Sequence, residues 1–218
     1  FRSERAVDLG PDQLLFINVD PYAISDMKFE KGMTKEVLAQ YGISPSNVIM
    51  ELTERSAISD YEGFKKALKN YVEQGFKIAI DDVGEGYSGM NRIIETRPQF
   101  LKLDMNIIRG LEADNFKQAI VKSFVQLSLE TNIKLIAEGI ETKEELKALI
   151  RLGVYAGQGY YFQRPCPQML SLTQEHIAEI KKYNQIAESH NVYHSEYHSI
   201  GSIIEHQTNY TSQTLLKY

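Results

Sequence analysis

Short apolar, β-branched runs alternate along the chain with longer stretches in which apolar residues recur at helical spacing. The short runs are predicted to be five strands, at residues 14–17, 48–50, 77–80, 100–103 and 133–137. The stretches between them carry helix signals. Ser59-Asp60-Tyr61-Glu62 and Thr142-Lys143-Glu144-Glu145 both have capping-box spacing, and Gly75 and Gly153 stand where a glycine would end each helix. The pattern is typical of an α/β protein.

Strands that alternate with helices pair in parallel through right-handed crossovers, which leaves two architectures, a barrel or an open doubly wound sheet. An open sheet that binds nucleotides is expected to have a glycine-rich turn after its first strand. The segment Asn18-Val19-Asp20-Pro21 is no such turn. The barrel is therefore the favoured interpretation, and barrel enzymes place their chemistry at the C-terminal ends of several strands.

The last fifth of the chain differs in composition. After Arg164-Pro165, the spacing of Leu170, Leu172, Ile177 and Ile180 predicts a helix that packs back on the barrel. Beyond Lys182 the sequence becomes polar and rich in His, Tyr and Ser, until residues 200–204 restore apolar character. We therefore predict a barrel domain at 1–182, and at 183–218 a linker that leads into a further regulatory domain.

Composition narrows the function classes. A chain of 218 residues with 43% apolar content is enough for one substantial core. The net charge of −5 argues against binding to DNA or RNA polymers, which need clustered Lys and Arg. Cys166 is the single cysteine and cannot form an intramolecular disulfide, and no apolar run is long enough to span a membrane. A cytoplasmic protein is the expectation.

Acidic or amide side chains follow all five predicted strands. They are Asn18 and Asp20, Glu51 and Glu54, Asp81 and Asp82, Asp104, and Glu138 and Glu141. One such residue is usually a helix cap or a solvated loop residue. Five strand ends in succession would crowd negative charge at one mouth of the barrel, which favours bound cations. Oxygen ligands suit Mg²⁺ or Mn²⁺, and the adjacent pair Asp81 and Asp82 suits a site for two ions.

Lys102 and a glycine-rich loop lie beside these residues. Strand alternation places Lys102 opposite Leu101 and Leu103, and so inside the barrel. There it could orient a water and neutralise phosphate charge, although a lysine that snorkels from a strand edge is the alternative. The loop 82–89 holds three glycines and follows the aspartate pair, where it could act as a mobile lid.

Taken in order, these segments resemble the motifs of the EAL family of cyclic-di-GMP phosphodiesterases. The matching segments are Glu51-Leu52-Thr53-Glu54, Asp81-Asp82-Val83-Gly84-Glu85-Gly86-Tyr87-Ser88, Lys102-Leu103-Asp104, Ala137-Glu138-Gly139-Ile140-Glu141-Thr142 and Gln158-Gly159-Tyr160-Tyr161-Phe162. The resemblance covers about residues 10 to 166. It implies a modified TIM-type (β/α)8 barrel that hydrolyses cyclic-di-GMP to linear pGpG with two Mg²⁺ or Mn²⁺ ions.

The resemblance also implies a role for each matching residue. Asn18, Glu51 and Asp81 would be metal ligands, with Asp81 shared between two ions and Asp82 on the second ion. Lys102 would hold the nucleophilic water, and Glu138 and Gln158 would complete the surroundings of the second ion. Glu54 would brace the glycine-rich loop, and Gln158 and Glu141 would lie on the substrate side. The family resemblance further implies a homodimer, fused to sensory or other signalling domains.

Two features of the sequence depart from the family pattern. No Glu-Ala-Leu triplet occurs in the sequence, so the barrel is expected to be incomplete at its N-terminus, and Val83 and Glu85 replace the usual Phe and Thr. Three hypotheses follow: a phosphodiesterase, a catalytically silent cyclic-di-GMP receptor, or a structural module. The structural module is disfavoured, because a scaffold has no reason to keep a buried charge cluster.

Overall fold

A computed structural model describes most of the chain. The described residues are 13–19, 32–53, 61–84, 89–166, 171–190, 201–207 and 211–216. The predicted helix cap at 59–60 and most of the glycine-rich loop, at 85–88, lie outside them, as do Asp20, Glu54 and Leu170.

Six parallel strands form a continuous curved sheet in chain order. They are β1 Leu14–Asn18, β2 Val48–Thr53, β3 Lys77–Val83, β4 Phe100–Leu103, β5 Lys134–Ala137 and β6 Ala156–Gln158. The five strands predicted from the sequence are all present. The sixth, Ala-Gly-Gln, was not predicted as a strand because it has no run of large apolar residues. The α/β barrel class is confirmed.

Helices follow most of the strands. They are α1 Met33–Gln40, α2 Tyr61–Glu73, α3 Gly89–Thr96, α4 Met105–Ile108, α5 Asn115–Thr131, α6 Lys143–Leu152 and α7 Gln174–His190. The capping box predicted at α6 is formed: Thr142 Oγ1 accepts from the Glu145 backbone N–H, and the Glu145 carboxylate accepts from the Thr142 N–H. Gly153 ends this helix in the left-handed conformation, as predicted.

The C-terminal part of the chain continues the barrel. Helix α7 extends past the predicted domain boundary at Lys182, and buried Leu172, Ile180 and Tyr183 join the main core. Two further strands follow, β7 Gly201–Gln207 and β8 Thr211–Leu216. Strand β7 pairs in parallel with β6, and β8 pairs antiparallel with both β7 and β1, which closes the ring of strands.

The sequence of residues 183–218 predicts a linker and a further domain, whereas within this range β7 and β8 pair with the barrel in the structure. The physical reason is that an open sheet exposes unpaired N–H and C=O groups along its two edge strands. The hairpin of β7 and β8 pairs with both of those edges, at β6 and at β1.

The main core lies between the sheet and the helices. Its buried residues include Met50, Leu52, Ile80, Leu101 and Leu103 from the outward face of the strands, packed against helix residues such as Leu146 and Leu149. This layer holds the strands rigidly, so that their inward side chains are fixed in position. Among the helices in the described part of the chain, none is both long and apolar enough to cross a bilayer.

Candidate metal and active site

The interior of the barrel is built in two layers by strand alternation. The lower layer is a small apolar cluster with one residue from each of the strands β1 to β6: Phe16, Ile49, Ala79, Phe100, Ile136 and Ala156. Side chains two positions apart on a strand point to the same face. The second layer therefore consists of the residues two positions further on, which we call the polar ring: Asn18, Glu51, Asp81, Lys102, Glu138 and Gln158.

Lys102 lies at the centre of the contacts within the polar ring. Its Nζ lies 2.6 Å from Glu51 Oε1 and 3.2 Å from Asp81 Oδ1. It also lies 2.5 Å from Glu138 Oε1. The Lys102 and Glu51 side chains are 0% exposed, so water does not screen this cluster effectively. The prediction that Lys102 points into the barrel is confirmed.

The charges of the ring are strongly coupled. Burial alone would lower the pKa of Lys102, but the carboxylates of Glu138, Glu51 and Asp81 together raise it well above its ordinary value. Burial raises the pKa of Glu138 well above its usual range. The Lys102 ammonium lowers this pKa, whereas the carboxylates of Asp81 and Glu51 raise it further. One ammonium thus faces more carboxylates than it can neutralise, and the remaining negative charge favours the binding of cations.

A β-bulge brings the adjacent aspartates Asp81 and Asp82 to the same side. The pairing of β3 with β4 shifts register between Ile80 and Val83, so that one extra residue stands on β3. Asp82 takes a positive φ of 57°, and its backbone N–H donates to Asp81 Oδ1 at 3.0 Å. In a regular strand, neighbouring side chains would point to opposite faces. The bulge removes that restriction.

The bulge creates a candidate cation site. Oxygens of Asp81, Asp82 and Glu138 all lie within 4.8 Å of one another. A set of carboxylate oxygens suits Mg²⁺ or Mn²⁺, which prefer hard oxygen ligands. The residues present therefore fit a divalent ion. Asn18 is the register partner of Glu51, on the strand next to β2.

Gln158 fixes the position of Glu138. Its Nε2 donates to Glu138 Oε1 at 2.5 Å, and its backbone C=O accepts from the Ile140 N–H at 3.0 Å. The next residue must be small, because a Cβ on Gly159 would lie 2.2 Å from both the backbone N and the backbone O of Ile140. The loops that follow β5 and β6 are thereby held in direct backbone contact.

Two other strand-end residues have partners outside the polar ring. Glu141, predicted on the substrate side, pairs with Arg109 at 2.7 Å, and both side chains are about half exposed. Asp104 is the N-cap of α4 and accepts from the Asn106 N–H at 2.8 Å, which is the structural role that strand-end aspartates often have. Arg109 was missed by the sequence analysis, because no pattern marks a lysine or arginine that meets a carboxylate from a distant loop.

Comparisons with known proteins agree with this geometry. The EAL domain family matches residues 2–165. The protein named probable cyclic di-GMP phosphodiesterase PdeI of Escherichia coli K12 is 32% identical over 165 residues, which is 76% of this chain and 21% of that protein. The cyclic di-GMP phosphodiesterase RocR of Pseudomonas aeruginosa is 30% identical over 75% of this chain and 42% of its own length. The chain thus spans less than half the length of these relatives.

A solved structure shares the fold. BlrP1 of Klebsiella pneumoniae, in complex with manganese and cyclic di-GMP, is 36% identical, with a TM-score of 0.65 over 69% of this chain and 38% of that chain. A calcium complex of the same protein matches equally well. With the matching motifs brought together in one polar ring and the family match covering most of its length, the chain belongs to the EAL domain family.

Proposed function

We propose that the chain is the catalytic domain of a metal-dependent phosphodiesterase that hydrolyses cyclic-di-GMP to linear pGpG. The observation that carries this proposal is the convergence of Asp81, Asp82 and Glu138 oxygens within 4.8 Å of one another, beside the buried Lys102. The relatives named as cyclic di-GMP phosphodiesterases support it.

The proposal gives a role to each residue of the site. Asn18, Glu51, Asp81 and Asp82 would hold two ions, Mg²⁺ or Mn²⁺. When bound, such ions stabilise negative charge that develops on the phosphate and favour deprotonation of the attacking water. Lys102 would orient that water and oppose the charge of the carboxylates around it. Gln158 would keep Glu138 in place through their hydrogen bond.

The wider setting is also part of the proposal. Because the relatives are much longer than this chain, we propose that the domain is fused to sensory or signalling domains. A cytoplasmic location and a homodimer are proposed with it, as the family resemblance implies.

Chromatography of the reaction products tests the proposal. We expect the protein to convert cyclic-di-GMP to pGpG when Mn²⁺ or Mg²⁺ is present, and to stop when EDTA is added. Asp81→Asn should lower turnover by at least about a hundredfold, because the neutral amide holds a divalent ion far more weakly. Glu112→Gln, on the surface, is the matched control. Full activity of Asp81→Asn would disprove the two-ion assignment.

The second candidate function is a receptor. It is favoured by the contacts of Lys102, which already offset part of the negative charge of Glu51, Asp81 and Glu138 without a metal ion. Calorimetry separates the two functions. Tight binding of cyclic-di-GMP with no pGpG formed under any metal condition would select the receptor.

A further inference from the structure

Glu179 joins helix α7 to two loops at once. Its carboxylate accepts a hydrogen bond from the Tyr161 hydroxyl, in the loop after β6. The same carboxylate pairs with the Lys143 ammonium at the start of α6. The Glu179 side chain is only 15% exposed, so both contacts are partly shielded from water. The hydrogen bonds from Lys143 and from Tyr161 lower the pKa of the Glu179 carboxyl.

A short series of hydrogen bonds connects these loops to the polar ring. The Tyr161 N–H donates to Ile140 C=O at 2.9 Å, and the Ile140 N–H donates to Gln158 C=O at 3.0 Å. The Gln158 side chain then donates to Glu138 at 2.5 Å. Glu179 is therefore three residues removed from the candidate cation site, through Tyr161, Ile140 and Gln158.

Aromatic packing keeps Tyr161 in this position. Its ring centroid lies 5.5 Å from that of Phe162 and 5.4 Å from that of His176, one turn before Glu179 on α7. Phe162 and His176 also pack edge to face, at 5.7 Å. The Tyr161 hydroxyl is thus presented to α7 by a rigid cluster, and the hydrogen bond to Glu179 completes the contact.

We propose that Glu179 and Tyr161 are positioning residues, through which helix α7 sets the geometry of Gln158 and Glu138. This inference rests on the proposed function, because the position of Glu138 affects ion binding only if the site binds metal ions as proposed. It assigns to α7, which packs on the barrel between β6 and β7, a means of adjusting the affinity of the site. Movement of α7 loosens the loops after β5 and β6 together.

Three variants separate the contacts of Glu179. Tyr161→Phe removes one hydroxyl and keeps the aromatic packing. Glu179→Gln keeps an acceptor for Tyr161 but loses the charge that holds Lys143, and Glu179→Ala removes both contacts. Glu175→Gln is the matched control, because it changes an exposed glutamate one turn earlier on the same helix.

The first readout is amide hydrogen exchange of the full chain without metal. We expect faster exchange at residues 138–142 and 158–162 in Tyr161→Phe and Glu179→Ala, an intermediate result for Glu179→Gln, and no change in Glu175→Gln. The second readout is Mn²⁺ affinity by calorimetry, which should fall about tenfold in Tyr161→Phe and Glu179→Ala, at the low end of the effect of outer-shell partners. Thermal unfolding checks that each variant is folded.

The outcomes are distinct. Unchanged exchange in both Tyr161→Phe and Glu179→Ala would overturn the positioning role, whatever the protein binds. Faster exchange with wild-type Mn²⁺ affinity would overturn the link between α7 and the site. If the wild-type protein binds neither Mn²⁺ nor cyclic-di-GMP, the proposed function fails, while the exchange data still decide whether Glu179 positions the loops.

Discussion

At the scale of single residues, Lys102 decides how the polar ring is held together. A buried ammonium is costly without partners, and Lys102 offsets this cost through three carboxylates within 3.2 Å. The carboxylates depend equally on Lys102, because Glu51 is buried as completely as the lysine is. The lysine and the carboxylates therefore stabilise one another, because neither would be stable as a buried charge without the other.

Replacement of Lys102 tests this dependence. Lys102→Met keeps the apolar stem but leaves Glu51, Asp81 and Glu138 facing one another, so we expect the free energy of unfolding to fall by about 3–5 kcal/mol. Urea denaturation without metal measures it. The double variant Lys102→Met, Glu51→Gln should recover part of the loss, because it removes one of the uncompensated charges. A loss below about 1 kcal/mol would contradict the account.

At the scale of elements, the site depends on irregular backbone at the ends of strands. The bulge at Asp81 and Asp82 turns two neighbouring carboxylates to one side. The contact between Gly159 and Ile140 holds the loops after β5 and β6 together. Both features lie near the C-terminal ends of strands, where regular strand pairing ends. The rigid sheet supports them there without constraining their local backbone conformation.

Gly159→Ala probes the second of these features. The new Cβ would overlap the backbone of Ile140, so we expect a loss of stability of about 1–3 kcal/mol together with weaker Mn²⁺ binding. Gly42→Ala is the control, since Gly42 has a φ of +73° but no atom within 4 Å of its Cβ position. It should cost about 1 kcal/mol and leave Mn²⁺ affinity unchanged. Equal Mn²⁺ affinity in both variants would argue against a role for the loop contact.

At the scale of the whole molecule, the barrel concentrates negative charge in its interior. The protein carries a net charge of −5, and several of its carboxylates meet in the polar ring. A ligand that binds only the folded state adds to its stability by mass action. An ion that neutralises the ring should therefore stabilise the entire barrel, not only the loops that contact it.

Thermal and urea unfolding with and without Mn²⁺ test this coupling. At a free Mn²⁺ concentration one hundred times the dissociation constant, we expect the free energy of unfolding to rise by about 2.7 kcal/mol, and EDTA should reverse the gain. Asp81→Asn should lose most of the gain while Glu112→Gln keeps it. A gain of the same size in both variants would mean that Mn²⁺ acts elsewhere on the chain.

Many features of the fold and of the site can be predicted from the local sequence alone. Strand alternation fixes which residues face inward, and that is why Glu51, Asp81 and Lys102 were predicted to meet and do. The capping box of α6 was equally readable, because Thr142 and Glu145 are three positions apart. Both patterns depend on neighbours within one element, and their geometry is fixed by the backbone of that element.

Only the tertiary structure decided the remaining features. The bulge in β3 appears only when β4 is paired beside it, and strand β6 exists because its backbone groups pair with β5, although Ala-Gly-Gln carries no apolar signal. Glu179 meets Tyr161 and Lys143 across 18 and 36 positions of sequence. Such contacts depend on how separate elements pack, and a local pattern of hydrophobic and polar residues does not specify that packing.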